Sequence, residues 1–128
     1  MRLYDTLTRE LQEVSPVDGE TLKIYSCGPT VYRYIHLGNM RSFMLGDLIR
    51  RVLRFEGRDV RWIMNITDVG HMTDDISDTG RDKMELAEAD EGLSAAEIAD
   101  KYTKAFLEDA DLVGIERADL YPRATDHI

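Results

Sequence analysis

The chain has 128 residues, 43% hydrophobic and 8% aromatic, with 32% charged side chains and a formal net charge of −9. That is one domain's worth of sequence, long enough to bury a core, and its composition argues against disorder. No apolar run approaches the roughly 18 residues that cross a bilayer, the charged N-terminus lacks a signal-peptide core, and a single cysteine cannot close an internal disulfide, so we expect no membrane segment and a cytosolic setting.

Charge is unevenly spread. Residues 1–67 carry 10 basic and 8 acidic side chains, whereas residues 68–128 carry 6 and 17. Arg41, Arg50, Arg51, Arg54, Arg58 and Arg61 crowd into twenty-one positions. Such a cluster is a local positive field suited to a polyanion, although its plainer reading is the solvated face of a helix.

Residues 3–14 are ambiguous: Leu3, Leu7, Leu11 and Val14 have helical spacing, while Tyr4, Thr6 and Thr8 suit a strand. Pro16-Val-Asp-Gly19 signals a turn. Residues 21–26 alternate with β-branched and aromatic side chains and read as a strand. Residues 40–55 carry a broad apolar stripe at helical spacing, ended by Gly57, and residues 59–66 read as a buried strand. Strand, helix and strand make a βαβ unit, whose crossover rule places the two strands parallel. Cys27 and Asn65-Ile-Thr-Asp68 then reach one crevice at the carboxyl ends, where open α/β sheets bind ligands.

Beyond Asp68 the chain turns acidic. Residues 70–80, with Asp74, Asp75 and Asp78, read as a loop or short helix, and residues 83–89 as a short helix. Ser94-Ala-Ala-Glu97 is a capping box, opening a helix that runs to Gly114. Residues 119–123 should be extended, because Pro122 biases Tyr121 away from helix. Thr125 resembles an N-cap opening a further helix, which leads us to expect a longer protein.

Chemistry concentrates in residues 24–41. Cys27 sits at a strand end beside Gly-Pro and is open to three readings: packed thiol, nucleophile with His36 or His71 as base, or metal ligand. His36-Leu-Gly-Asn39 reads as a phosphate-holding turn or an ordinary loop. For the first, Gly38 permits close approach, His36 and Asn39 donate, and a helix dipole assists. His71 and His127 default to structural or surface roles. Asp68 and the Asp74/Asp75 pair suit Mg2+ or, more simply, solvent.

Cys27-Gly-Pro-Thr-Val-Tyr32, His36-Leu-Gly-Asn-Met-Arg41, Asn65-Ile-Thr-Asp-Val69 and Tyr121-Pro-Arg-Ala-Thr-Asp-His127 together resemble the N-terminal part of the cysteinyl-tRNA synthetases, a class I family. Linked motifs in matching order are a specific signal. The resemblance implies an α/β fold: a Rossmann-like (HUP-type) parallel-sheet half-domain over residues 1–67, followed by the helical, acidic start of an insertion over residues 68–128. It implies ATP-dependent activation of cysteine, with Mg2+, and transfer to tRNA-Cys. His36, Leu37, Gly38 and Asn39 correspond to the ATP signature, with His36 and Asn39 catalytic. Gly28, Thr30 and Thr67 frame the bound cysteine, and Cys27 is one of four zinc ligands.

In that family the other zinc ligands, a second ATP loop and the tRNA-binding domains lie beyond residue 128. The chain alone is therefore expected to bind ATP weakly, to hold zinc poorly and not to turn over, and an exposed sheet edge favours self-association. Two rival readings are a ligase joining cysteine to an amino sugar and a non-catalytic nucleotide- or partner-binding domain.

Overall fold

The computed structural model describes residues 1–69, 87, 88 and 91–128. The loop read over residues 70–80, most of the short helix read over 83–89, and His71, Asp74, Asp75 and Asp78 lie outside the described residues.

The ambiguous N-terminal stretch is a hairpin. Strands β1 (Arg2–Asp5) and β2 (Glu10–Glu13) pair antiparallel, from Arg2 opposite Glu13 to Asp5 opposite Glu10. The turn is built by Asp5, whose carboxylate accepts from the Leu7 and Thr8 amides, while Arg9 takes a left-handed φ of 59°. Leucines at helical spacing misled here because an aspartate side chain offered the backbone a turn instead.

Strands β3 (Leu22–Ser26) and β4 (Val60–Met64) pair in parallel, from Leu22 opposite Val60 to Ser26 opposite Met64, as the βαβ reading required. Helix α1 (Leu37–Phe55) joins them and starts three residues earlier than its apolar stripe suggested. The second long helix, α2 (Ala95–Leu112), opens on the expected capping box. Ser94 Oγ accepts from the Glu97 amide, and the Glu97 carboxylate accepts from the Ser94 amide.

Residues 119–124 are more than extended: they run parallel along the free edge of β4. The Met64 amide donates to Leu120 O at 3.1 Å, Ile66 to Pro122 O at 2.8 Å, and the Ala124 amide to Ile66 O at 3.0 Å. The helix expected to open at Thr125 is instead a single 3-10 turn (Ala124–His127) without a side-chain cap. The N-cap residue is Arg123, and Thr125 lies inside the turn with its hydroxyl donating to Asp68 Oδ2 at 2.7 Å.

The core lies between β4 and the two helices. Trp62, Met64 and Ile66 are buried against Met40 and Phe43 of α1 and Ile98 and Phe106 of α2, with Phe43 and Phe106 edge-to-face at 5.3 Å. An aromatic buried in this way is worth about 3–5 kcal/mol against alanine. Gly46 admits the Trp62 indole to the helix surface: a Cβ there would meet the ring at 3.0 Å.

The arginine cluster departs from the solvated-face reading at its centre. Arg50 is 4% exposed, donating to Arg117 O at 2.6 Å and to Asp119 Oδ1 at 2.9 Å. Arg51 donates to Asp47 Oδ2 and to Gly114 O, and Arg54 pairs with Glu116. Three arginines thus tie residues 114–119 to α1, Arg50 from a buried position and Arg51 and Arg54 from the exposed face. Among the described residues no helix is long and apolar enough to cross a membrane.

Candidate functional site

β3 ends at Ser26, and the next residues form one wall of a cleft of about 340 Å³. Cys27, Gly28 and Thr30 line it, together with His36 and Asn39 at the start of α1. Cys27 is exposed with a free thiol, which removes the packed-thiol reading.

Gly28 is required by contact. A Cβ there would sit 1.9 Å from the backbone oxygen of Asn65 and 2.8 Å from Met64 Cγ. Beyond the ladder of β3 and β4 the two chains stay zipped: the Thr67 amide donates to Pro29 O at 2.9 Å and the Val31 amide to Thr67 O at 3.0 Å, which sets Thr30 beside Thr67. The Asn65 carboxamide spans the same gap, accepting from the Gly28 amide at 3.3 Å and donating to Thr67 Oγ at 2.9 Å. Thr67 therefore stands one strand behind the cleft wall, joined to it through Thr30 and Asn65.

The α1 end of the cleft is shaped by an unusual cap. His36 is the N-cap residue; its Nδ1 accepts from the Gly38 amide at 3.0 Å, and its own amide donates to Asn39 Oδ1 at 3.4 Å. The Asn39 and Met40 amides donate to His36 O. The amides of Gly38, Asn39 and Met40 are thus already engaged within the cap. What remains are side chains. With Nδ1 an acceptor, the neutral imidazole carries its proton on Nε2, and Asn39, with Oδ1 engaged, keeps Nδ2 as a donor. Gly38 packs under the cap, since a Cβ there would meet the imidazole at 2.7 Å.

Leu37 and Gly38 line a neighbouring groove with Leu112 and Val113 rather than the cleft itself; His36 borders both. Tyr32, Arg33, Tyr34 and Ser42 also face the cleft and carried no distinct sequence signal. Arg33 stacks over the Tyr32 ring at 5.1 Å, an adjacency in the chain that hinted at the contact. His127 lies in the 3-10 turn and is exposed, in keeping with a surface role. Asp68 is buried and holds Thr125, which accounts for its carboxylate without a cation.

A sequence model of the tRNA synthetases class I (C) catalytic domain matches residues 13–128. The chain belongs to that family. A cysteine–tRNA ligase of Salinibacter ruber is 51% identical over 99% of the chain and 26% of the relative. Those of Treponema denticola and Novosphingobium aromaticivorans are 45% and 44% identical, each over the whole chain and 26% of the relative. The chain spans about a quarter of the length of these curated relatives. Its parallel pair with flanking helices is an α/β arrangement, as the class I synthetase family implies.

Proposed function

We propose that the chain is part of the catalytic domain of a cysteine–tRNA ligase, which activates cysteine with ATP and transfers it to tRNA-Cys. Residues 1–67 form the first half of a Rossmann-like catalytic domain. Residues 68–128 open the inserted region, with residues 119–124 lying back along β4. One observation carries the reading: Cys27, His36 and Asn39 line the same cleft.

In the activation step a carboxylate oxygen of cysteine attacks the α-phosphorus of ATP. The bond to the β-phosphate oxygen breaks, and pyrophosphate leaves. Negative charge builds on the phosphate oxygens, and His36 Nε2–H and Asn39 Nδ2–H are the donors placed to meet it. Leu37 and Gly38 complete the signature, Gly38 by holding the imidazole in its capping pose. Gly28, Thr30 and Thr67 frame the amino acid, Gly28 by letting the cleft wall close against the Asn65 backbone oxygen and the threonines by supplying hydroxyls. Mg2+ would accompany ATP as its usual counter-ion and would neutralise part of the phosphate charge.

Cys27 fits one corner of a zinc site: it is exposed, soft and on the cleft wall. Among the described residues no three His, Cys, Asp or Glu side chains gather to complete one, so the other ligands come from elsewhere in the protein. When bound, zinc supplies a preference for thiolate sulfur over hydroxyl oxygen, and with it rejection of serine.

The test is ATP–pyrophosphate exchange by the intact protein. Exchange that depends on cysteine and not on serine is expected. Exchange that ignores cysteine, or cysteine transfer to an amino sugar in place of tRNA, overturns the reading. The 128-residue chain alone binds ATP weakly and does not turn over, and tight stoichiometric zinc in it would contradict the single-corner assignment of Cys27.

A further inference from the structure

We infer that Asn65 is the positioning residue of the amino-acid pocket, coupling the Cys27 end of it to Thr67. The inference rests on the cysteine-activating reading above. Gly28 N–H belongs to the peptide bond that follows Cys27, so its partner fixes the plane from which the Cys27 side chain departs. That partner is Asn65 Oδ1, at 3.3 Å.

A backbone amide only donates, which settles the orientation of the carboxamide: oxygen toward Gly28, nitrogen toward Thr67. Asn65 Nδ2 then donates to Thr67 Oγ at 2.9 Å. Thr67 must accept there, and it keeps its own proton and one lone pair for another partner. A hydroxyl that accepts a hydrogen bond is polarised into a better donor.

The backbone reinforces this arrangement. Thr67 is zipped to Pro29 and Val31, and Asn65 O stands where a Gly28 side chain would be. The carboxamide links the peptide of Cys27 to the hydroxyl of Thr67.

Asn65→Asp separates this role from a plain structural latch. The carboxylate still accepts from Gly28, but it accepts from Thr67 as well, so the Thr67 proton is drawn away from the pocket. Exchange kinetics would be measured on the intact protein for Asn65→Asp, Thr67→Val and the double variant, with thermal melting as a control for folding. We expect Asn65→Asp to raise KM for cysteine about tenfold, the effect of one hydrogen bond, with KM for ATP and kcat unmoved. In the Thr67→Val background the same change should do little further. Equal effects in both backgrounds, or no change in KM for cysteine, overturn the inference while leaving the enzyme assignment intact. A parent protein with no cysteine-dependent exchange overturns the assignment itself.

Discussion

Asp68 holds Thr125 by two hydrogen bonds, accepting from its amide at 3.0 Å and from its hydroxyl at 2.7 Å. The pair is 57 positions apart in the chain and part-buried. It anchors the turn after residues 119–124 to the strand end that carries Thr67. Thr125→Val removes one donor from a buried carboxylate and should cost about 1–3 kcal/mol. Asp68→Ala removes both bonds at once and should cost at least as much. Chemical denaturation of both variants checks this; a loss below measurement error in both would mean that the turn is held by other contacts.

Gly28→Ala should be among the most damaging single changes in the chain. The added carbon meets backbone, the Asn65 oxygen at 1.9 Å, and cannot be relieved by rotating a side chain. Overpacking ordinarily costs about 1–3 kcal/mol, and a backbone clash of this depth belongs at or above the top of that range. The expected result is a sharply lowered melting temperature together with loss of cysteine-dependent exchange. A well-folded, active Gly28→Ala protein would show that the strands can part without consequence.

Gly38→Ala should behave differently. Alanine favours a helical position by about 1 kcal/mol over glycine. Its methyl, however, would stand 2.7 Å from the His36 ring and evict the cap, at a cost of about 0.5–2 kcal/mol. The two effects nearly cancel in stability, whereas the imidazole leaves the pose that aims its donor. Melting should therefore shift little while exchange falls by about tenfold or more, the loss of one transition-state donor. Parallel changes in both measurements would sink the argument.

Near the start of α2, hydrogen bonds from Lys101 and then Tyr102 hold the Glu91 carboxyl below its ordinary value of 4.5. The hydrogen bond to Glu91 raises Lys101 in return, and it raises Tyr102. A depressed carboxyl stabilises the fold above its unfolded value, and that contribution is lost as pH falls through the folded one. Raised Lys101 and Tyr102 contribute on the other side, losing theirs as pH climbs beyond their ordinary 10.5 and 10.0. Glu91→Gln should flatten the acid limb of the stability profile below about pH 4.5. Melting curves of the two proteins across that range check it; identical acid limbs would remove Glu91 from the account.

Much of this was legible in the chain, and the exceptions have physical causes. The capping box at Ser94 announced α2 because serine and glutamate three apart satisfy each other's amides. The parallel pairing of β3 with β4 followed from strand, helix and strand in succession. The start of α1 was not legible, because histidine is outside the usual set of N-cap residues and its ring closed the cap in their place. Arg50 looked like a surface charge because its partner Asp119 is 69 positions away, and no local pattern encodes so distant a contact. In the cleft, Cys27, His36 and Asn39 stood out by type and motif. Asn65 stood in a motif but with no role of its own: its importance lies in what its two ends touch, and a carboxamide reads the same whether it faces solvent or bridges two strands.

The cleft has a schedule as well as a shape. Its walls are sewn by pairs far apart in the chain, Thr30 with Thr67 and, one strand out, Ile66 with Arg123. Contacts that close such long loops form late, after the local helices. A nascent chain can thus wind α1 and hold His36 in its capping pose well before Arg123 has emerged, and only then draw β4 into place between its two neighbours. Until that moment Cys27 and Thr67 belong to no common pocket, and the nucleotide half of the site exists before the amino-acid half.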